Sequence, residues 1–127
     1  MKYILDTQTI IWFSEGNKQL SELSNKIITD VNNICYISVA SVWEMAVKIK
    51  INKLSLNISL NEFIEELQKQ HFSFLKINFK HAAYISELEL HHRDPFDRII
   101  IAQAKVENIP VISKDKKLDL YPITRIW

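Results

Sequence analysis

Short apolar runs alternate along this chain with longer stretches of helical spacing, and few folds accommodate that order. The runs are Tyr3-Ile4-Leu5, Ile34 to Ser38, Phe74 to Ile77, Pro110 to Ser113 and Ile123 to Ile126. Each has strand length, and the first reads as a buried strand. Between them, Leu20, Leu23, Ile27 and Ile28 recur at helical spacing, as do Val39, Val42, Ala46 and Ile49. The alternation predicts a parallel sheet of four strands, with a fifth at an edge, and helices on its faces.

Local signals place the boundaries. A first strand over residues 2–6 leads into a helix from Thr7 to Ser14 that ends near Gly16, and a second helix runs to about Asp30. Ser38 is a suitable N-cap for the third. Ser59-Leu60-Asn61-Glu62 has the form of a capping box, opening a helix to about Gln70. Phe79 to Glu89 reads as helix, and Lys48 to Leu56 as the longest loop. The helix from Asp94 to Glu107 is apolar through Ile99-Ile100-Ile101-Ala102, which places it centrally. Asn108 tolerates a left-handed cap and Pro110 cannot continue the helix, so it stops there.

The 127 residues fit one domain, with no linker or repeat. Gly16 is the only glycine, which excludes phosphate-binding loops that need several. A net charge of +1 provides no global field to attract nucleic acid. The single cysteine, Cys35, reads as a buried small hydrophobe, and one thiol cannot form an internal disulfide, as suits a cytoplasmic protein. The opening Met1 to Asp6 meets a charge at once, unlike a secretion signal, and no apolar run approaches the length of a membrane helix.

Four acids carry the chemistry. Asp6 ends the first run, Asp115 lies just past the fourth, and Glu44 lies six residues beyond the second. In a parallel sheet the carboxyl ends of the strands share the edge where ligands bind. Like charges gathered there at ~4 Å cost about 4 kcal/mol at an effective dielectric of ~20. A divalent cation relieves this, and oxygen ligands suit Mg²⁺ or Mn²⁺. The fourth acid, Asp97, sits in Asp94-Pro95-Phe96-Asp97, which also reads as an ordinary helix start with Asp94 as N-cap and Pro95 at N1. Asp6 is equally a good N-cap. His71, His81, His91 and His92 form no metal-spaced pair on a helix face. Arg93, Arg98, Lys48 and Lys114 are candidates for a groove that follows a phosphate backbone.

Four segments together bear a family likeness. They are Ile4-Leu5-Asp6-Thr7-x-Thr9-x-x-Trp12, Ser38-x-x-Ser41-x-Trp43-Glu44, Asp94-Pro95-Phe96-Asp97-Arg98-x-x-Ile101-Ala102-Gln103-Ala104 and Ser113-x-Asp115. In this order and spacing the chain resembles PIN domains, and more narrowly the VapC-type toxins of bacterial toxin–antitoxin pairs. The resemblance implies a three-layer α/β/α sandwich and an endoribonuclease dependent on Mg²⁺ or Mn²⁺. It makes Asp6, Glu44, Asp97 and Asp115 the metal-holding and catalytic acids, with Thr7, Ser41, Asp94 and Ser113 in support. It further implies RNA as substrate, a homodimer, and silencing by an antitoxin that occupies the groove, with helices from residues 7–30 and 39–70 as the partner surface. Gln8 stands where many relatives have His, Ser113 where Thr is common, and Lys116 where some carry a further acid.

Two other readings fit part of the pattern. Aspartyl-phosphate chemistry uses an Asp after the first strand, but haloacid-dehalogenase-like enzymes need a second Asp where this chain has Gln8. A non-catalytic RNA- or protein-binding module keeps such a fold without performing chemistry.

Overall fold

Successive residues of the first strand face two different cores, and this alternation organises the molecule. The computed structural model describes all 127 residues. In β1 (Lys2–Leu5), Tyr3 and Leu5 pack with Ile10, Ile37, Met45, Phe63 and Leu67, whereas Ile4 packs with Ile100, Ile101, Val111 and Leu118. The strand is buried on both faces, which is why it shows no polar alternation.

The sheet contains β1, β2 (Ile34–Ser38), β3 (Ser73–Leu75), β4 (Val111–Ile112) and β5 (Arg125–Ile126), in the spatial order β3-β2-β1-β4-β5. Every pairing is parallel. The first core lies beneath α1 (Thr7–Glu15), α3 (Val39–Lys50) and α4 (Leu60–Lys69), with α2 (Glu22–Thr29) beside it. The second lies beneath α5 (Phe79–Tyr84) and α6 (Pro95–Glu107). Three layers result, as expected. Ile100 and Ile101 of α6 are almost wholly buried, and each contributes roughly 1.5–3 kcal/mol by leaving water.

The chain builds outward from β1 to β3, then crosses back to β4 on the other side of β1. The topological switch point therefore lies between β1 and β4, where open α/β sheets bind their ligands. Asp6 and Ser113 follow directly at the carboxyl ends of these two strands.

Several boundaries differ from the sequence reading. The helix expected over Phe79 to Glu89 ends at Tyr84 and tightens into a 3₁₀ turn at Ile85–Glu87. The Arg98 guanidinium satisfies the segment that follows, donating to the carbonyls of Ile85, Leu88, Glu89 and His92. At Ser59 only half of the capping box forms: Ser59 accepts from the Glu62 N–H, but the Glu62 carboxylate meets the serine hydroxyl rather than its backbone. A full box occurs instead at Asn78 and His81, the imidazole taking the glutamate's place. The third strand begins and ends earlier than Phe74 to Ile77, and α3 continues to Lys50, shortening the expected loop.

Gly16 closes α1 at φ 63°, and its N–H reaches the Phe13 and Trp12 carbonyls. No atom lies within 4 Å of where a Cβ would stand, so only the backbone opposes a side chain there. Gly16→Ala is expected to cost about 1 kcal/mol in a denaturant titration, with Asn at the same position costing less.

Candidate active site

Asp6 leaves β1 in extended geometry and caps α1, its Oδ1 accepting from the Thr9 N–H at 2.8 Å. Its Oδ2 accepts a short hydrogen bond from the Ser113 hydroxyl. The N-cap and functional readings of Asp6 are thus compatible, because capping occupies one oxygen only. Ser113 is fully buried, and its Oγ also accepts from the Asp115 N–H at 3.0 Å. One serine thereby ties the acid after β1 to the turn that carries the acid after β4.

Glu44 comes from α3, which Ser38 caps through the Ala40 N–H at 3.0 Å. It is buried, and Thr7 Oγ1 donates to its Oε1 at 2.7 Å. Thr7 Oγ1 also lies 2.9 Å from Ser41 Oγ. Thr7 has a single hydroxyl proton and the carboxylate is the stronger acceptor, so Ser41 donates to Thr7 in turn. Lys48 Nζ meets Glu44 Oε2 at 2.6 Å, an ion pair that raises the lysine's pKa.

Asp94 caps α6 through the N–H groups of Phe96 and Asp97, with Pro95 at the first turn. Its charge, with those of Glu44 and Asp6, adds to burial in holding the Asp97 carboxyl up to about 7; His92 opposes the shift. Burial, reinforced by Asp115, also raises Asp6 against the lowering effect of its bonds from Ser113 and Thr9. These five acids, Asp6, Glu44, Asp94, Asp97 and Asp115, thus form one electrostatic unit.

His92 belongs to this unit. Its Nε2 lies 2.8 Å from Asp115 Oδ2 and 3.1 Å from Asp97 Oδ2. Helix-spaced histidine pairing does not reveal it, because it lies outside any helix and its partners are acids, Asp97 close by and Asp115 23 residues on. Its one sequence signal is its place two residues before Asp94, at the mouth of the acidic helix start.

The basic candidates separate. Lys48 pairs with Glu44, and Arg98 donates to four carbonyls. Arg93 and Lys114 are exposed. Lys114 Nζ sits 5.5 Å from the Trp12 ring centroid. A cleft of about 260 Å³ opens beside Asp6 and Asp115, with Gln8, Trp12 and Lys114 on its walls. The larger hollows, of about 540 and 560 Å³, lie along the end of α3 and beside Trp43, away from Asp6 and Asp115.

The PIN-domain family model matches residues 3–123. The chain belongs to the PIN-domain family. The resemblance drawn from its four segments holds, and so does the α/β/α fold that it implied. Among solved structures, the PIN chain is similar to VapBC2 from Rickettsia felis bound to a promoter DNA fragment, at 17% identity and a TM-score of 0.74, covering 100% of this chain and 99% of that one. It is similar to VapBC-1 from nontypeable Haemophilus influenzae, at 18% identity and 0.70, covering 99% and 97%. A toxin–antitoxin complex from Klebsiella pneumoniae matches at 17% identity and 0.65, covering 98% and 96%. At such identities the likeness is one of fold. No curated protein matches the chain. No helix of this PIN domain is long and apolar enough to cross a membrane.

Proposed function

We propose that this PIN domain is a metal-dependent endoribonuclease and the toxin of a toxin–antitoxin pair. The observation that carries the reading is Asp97, a carboxyl that burial first, and then the charges of Asp94, Glu44 and Asp6, hold up to about 7. Such a cluster is unfavourable by itself, and a divalent cation turns the repulsion into attraction. The donor set fits Mg²⁺ or Mn²⁺, with Asp6, Asp97 and Asp115 to hold the ion and Glu44 beside them. When bound, the ion supplies Lewis-acid activation of water and neutralises charge on the scissile phosphate.

The chain's own residues do the rest. Ser113 fixes the Asp6 carboxylate and the turn bearing Asp115. Thr7 and Ser41 fix Glu44, whose fixed carboxylate can orient an attacking water. Lys114 and Arg93 supply exposed positive charge for the RNA backbone. Ser113→Ala is expected to weaken cleavage and metal affinity by about 10–100-fold, as loss of a ligand-orienting partner does, which titration of Mn²⁺ and a cleavage time course would measure.

Support for the partner comes from α3, where Val39, Trp43 and Val47 form an exposed apolar stripe at helical spacing. Trp43 stands edge-on to Phe96 at 5.0 Å, which extends the stripe to α6. An antitoxin peptide, or a second copy of the chain in a homodimer, would cover such a face.

The test is incubation of purified protein, free of antitoxin, with total cellular RNA in Mg²⁺, Mn²⁺ or EDTA, beside Asp6→Asn. Discrete fragments with 5′-phosphate ends, absent with chelator and in the variant, are expected. Products ending in 2′,3′-cyclic phosphate would sink the hydrolytic mechanism. RNA binding without cleavage under every condition would favour the non-catalytic module.

A further inference from the structure

His92, Asp97 and Asp115 place one ligand atom each within 4.8 Å of the others, which resembles a three-ligand metal site. The hydrogen bonds around the ring argue otherwise. A metal-ligating histidine presents a lone pair to the ion and donates its other N–H to an acceptor. Here His92 Nδ1 faces a donor instead, the backbone N–H of Asp94 at 3.2 Å. A backbone N–H cannot move its proton, so Nδ1 supplies the lone pair and the neutral ring carries its hydrogen on Nε2. That hydrogen points at Asp97 and Asp115.

The ring is also fixed from behind. The His92 N–H donates to the Tyr121 hydroxyl at 2.8 Å, and its carbonyl accepts from Arg98 at 3.2 Å. Tyr121 in turn donates to the Glu89 carbonyl. These contacts hold a single N–H between two carboxylate oxygens, where it offers partial positive charge to both.

We propose that His92 is the protein's own stand-in for the cation: its Nε2–H bridges Asp97 and Asp115 until a divalent ion displaces it. The proposal rests on the reading that these acids hold such an ion. Asp97 and Asp115 would hold such an ion with the carboxylates that the N–H now occupies, so the ring would have to release at least one of them. His92 is then a positioning residue that keeps the acids together without metal and competes with metal for them.

The test uses the full chain without RNA at one fixed pH. His92→Asn keeps an acceptor for the Asp94 N–H but cannot reach both carboxylates, whereas His92→Gln restores a donor near the Nε2 position. Mn²⁺ affinity, read from the free-ion electron paramagnetic resonance signal, is expected to rise about tenfold in His92→Asn, the worth of one hydrogen bond to a charged group, and to return toward wild type in His92→Gln. In the wild type, ¹⁵N spectra should show the proton on Nε2 without metal, and this resonance should shift as Mg²⁺ saturates.

Unchanged or weaker Mn²⁺ binding in His92→Asn would overturn the proposal. So would ring resonances that stay put on saturation, or nitrogen coupling that shows the imidazole bound directly to Mn²⁺; neither needs a variant to fold. If neither wild type nor variants bind Mn²⁺ at millimolar concentration, the metal-site reading falls as well.

Discussion

Asp97→Asn is expected to lose about 10³-fold or more of RNA cleavage while melting at a higher temperature than wild type in EDTA. The two effects have one cause. Burial holds the Asp97 carboxyl up to about 7, and the charges of Asp94, Glu44 and Asp6 add to the effect. An amide of the same shape removes a charge that the apo site does not want, and its carbonyl oxygen can still accept from His92 Nε2. The same change withdraws a negative ligand from the cation. Metal ions supply several kcal/mol of transition-state charge stabilisation, and about 4 kcal/mol corresponds to roughly 10³ in rate. Most substitutions destabilise, so an inactive yet more stable variant is a specific signature. Cleavage of total RNA and thermal melts in EDTA would measure it. Undiminished cleavage would remove Asp97 from the metal site, and a lower melting temperature would contradict the electrostatic account.

Metal-free stability should carry a second signature, falling as pH rises from about 4 to about 7. Asp97 moves from an ordinary value of 3.8 to about 7 in the folded state, and Asp6 moves in the same direction. Between the unfolded and folded values the native state holds more protons than the unfolded chain, so raising pH favours unfolding. The stabilisation is fully present below the ordinary carboxyl value and is lost as pH passes through the raised one. At about 1.4 kcal/mol per pKa unit, the loss is on the order of a few kcal/mol. Carboxylates stabilised by pairing behave oppositely, which makes the slope diagnostic. Melts in EDTA across this range should show it, Asp97→Asn should flatten it, and saturating Mg²⁺ should stabilise the protein more at about pH 8 than at about pH 5. A wild-type stability, measured relative to Asp97→Asn, that rises across this interval would refute the prediction.

Much of the fold was legible because its signals are local. The second strand was placed at Ile34 to Ser38, as observed, since an apolar run and an N-capping serine mark both ends. Asn108 was expected to adopt a left-handed cap and does so, at φ 54°. The break at Ile85 was not visible in the local pattern, and the carbonyl there is met by Arg98 from thirteen residues away. The intramolecular partners of the basic residues were not read from the sequence either: Lys48 pairs with Glu44, and Arg98 donates to carbonyls of the preceding turn. Asp6 and Asp115 could be placed together from strand ends alone. Asp97 could not, since nothing in a helix start says which sheet edge it faces.

By itself, the sequence determined the strand–helix alternation, the parallel sheet, and the caps that begin and end most helices. These follow from side-chain period and backbone preference, which act over a few residues. Only the tertiary structure decided that β4 lies beside β1, which brings Ser113 to Asp6 across 107 positions. It alone decided that His92 stands between Asp97 and Asp115 with its hydrogen toward them. Burial and convergent charge exist only once distant segments meet, so the acid strengths of the site are properties of the fold and not of any one stretch of chain.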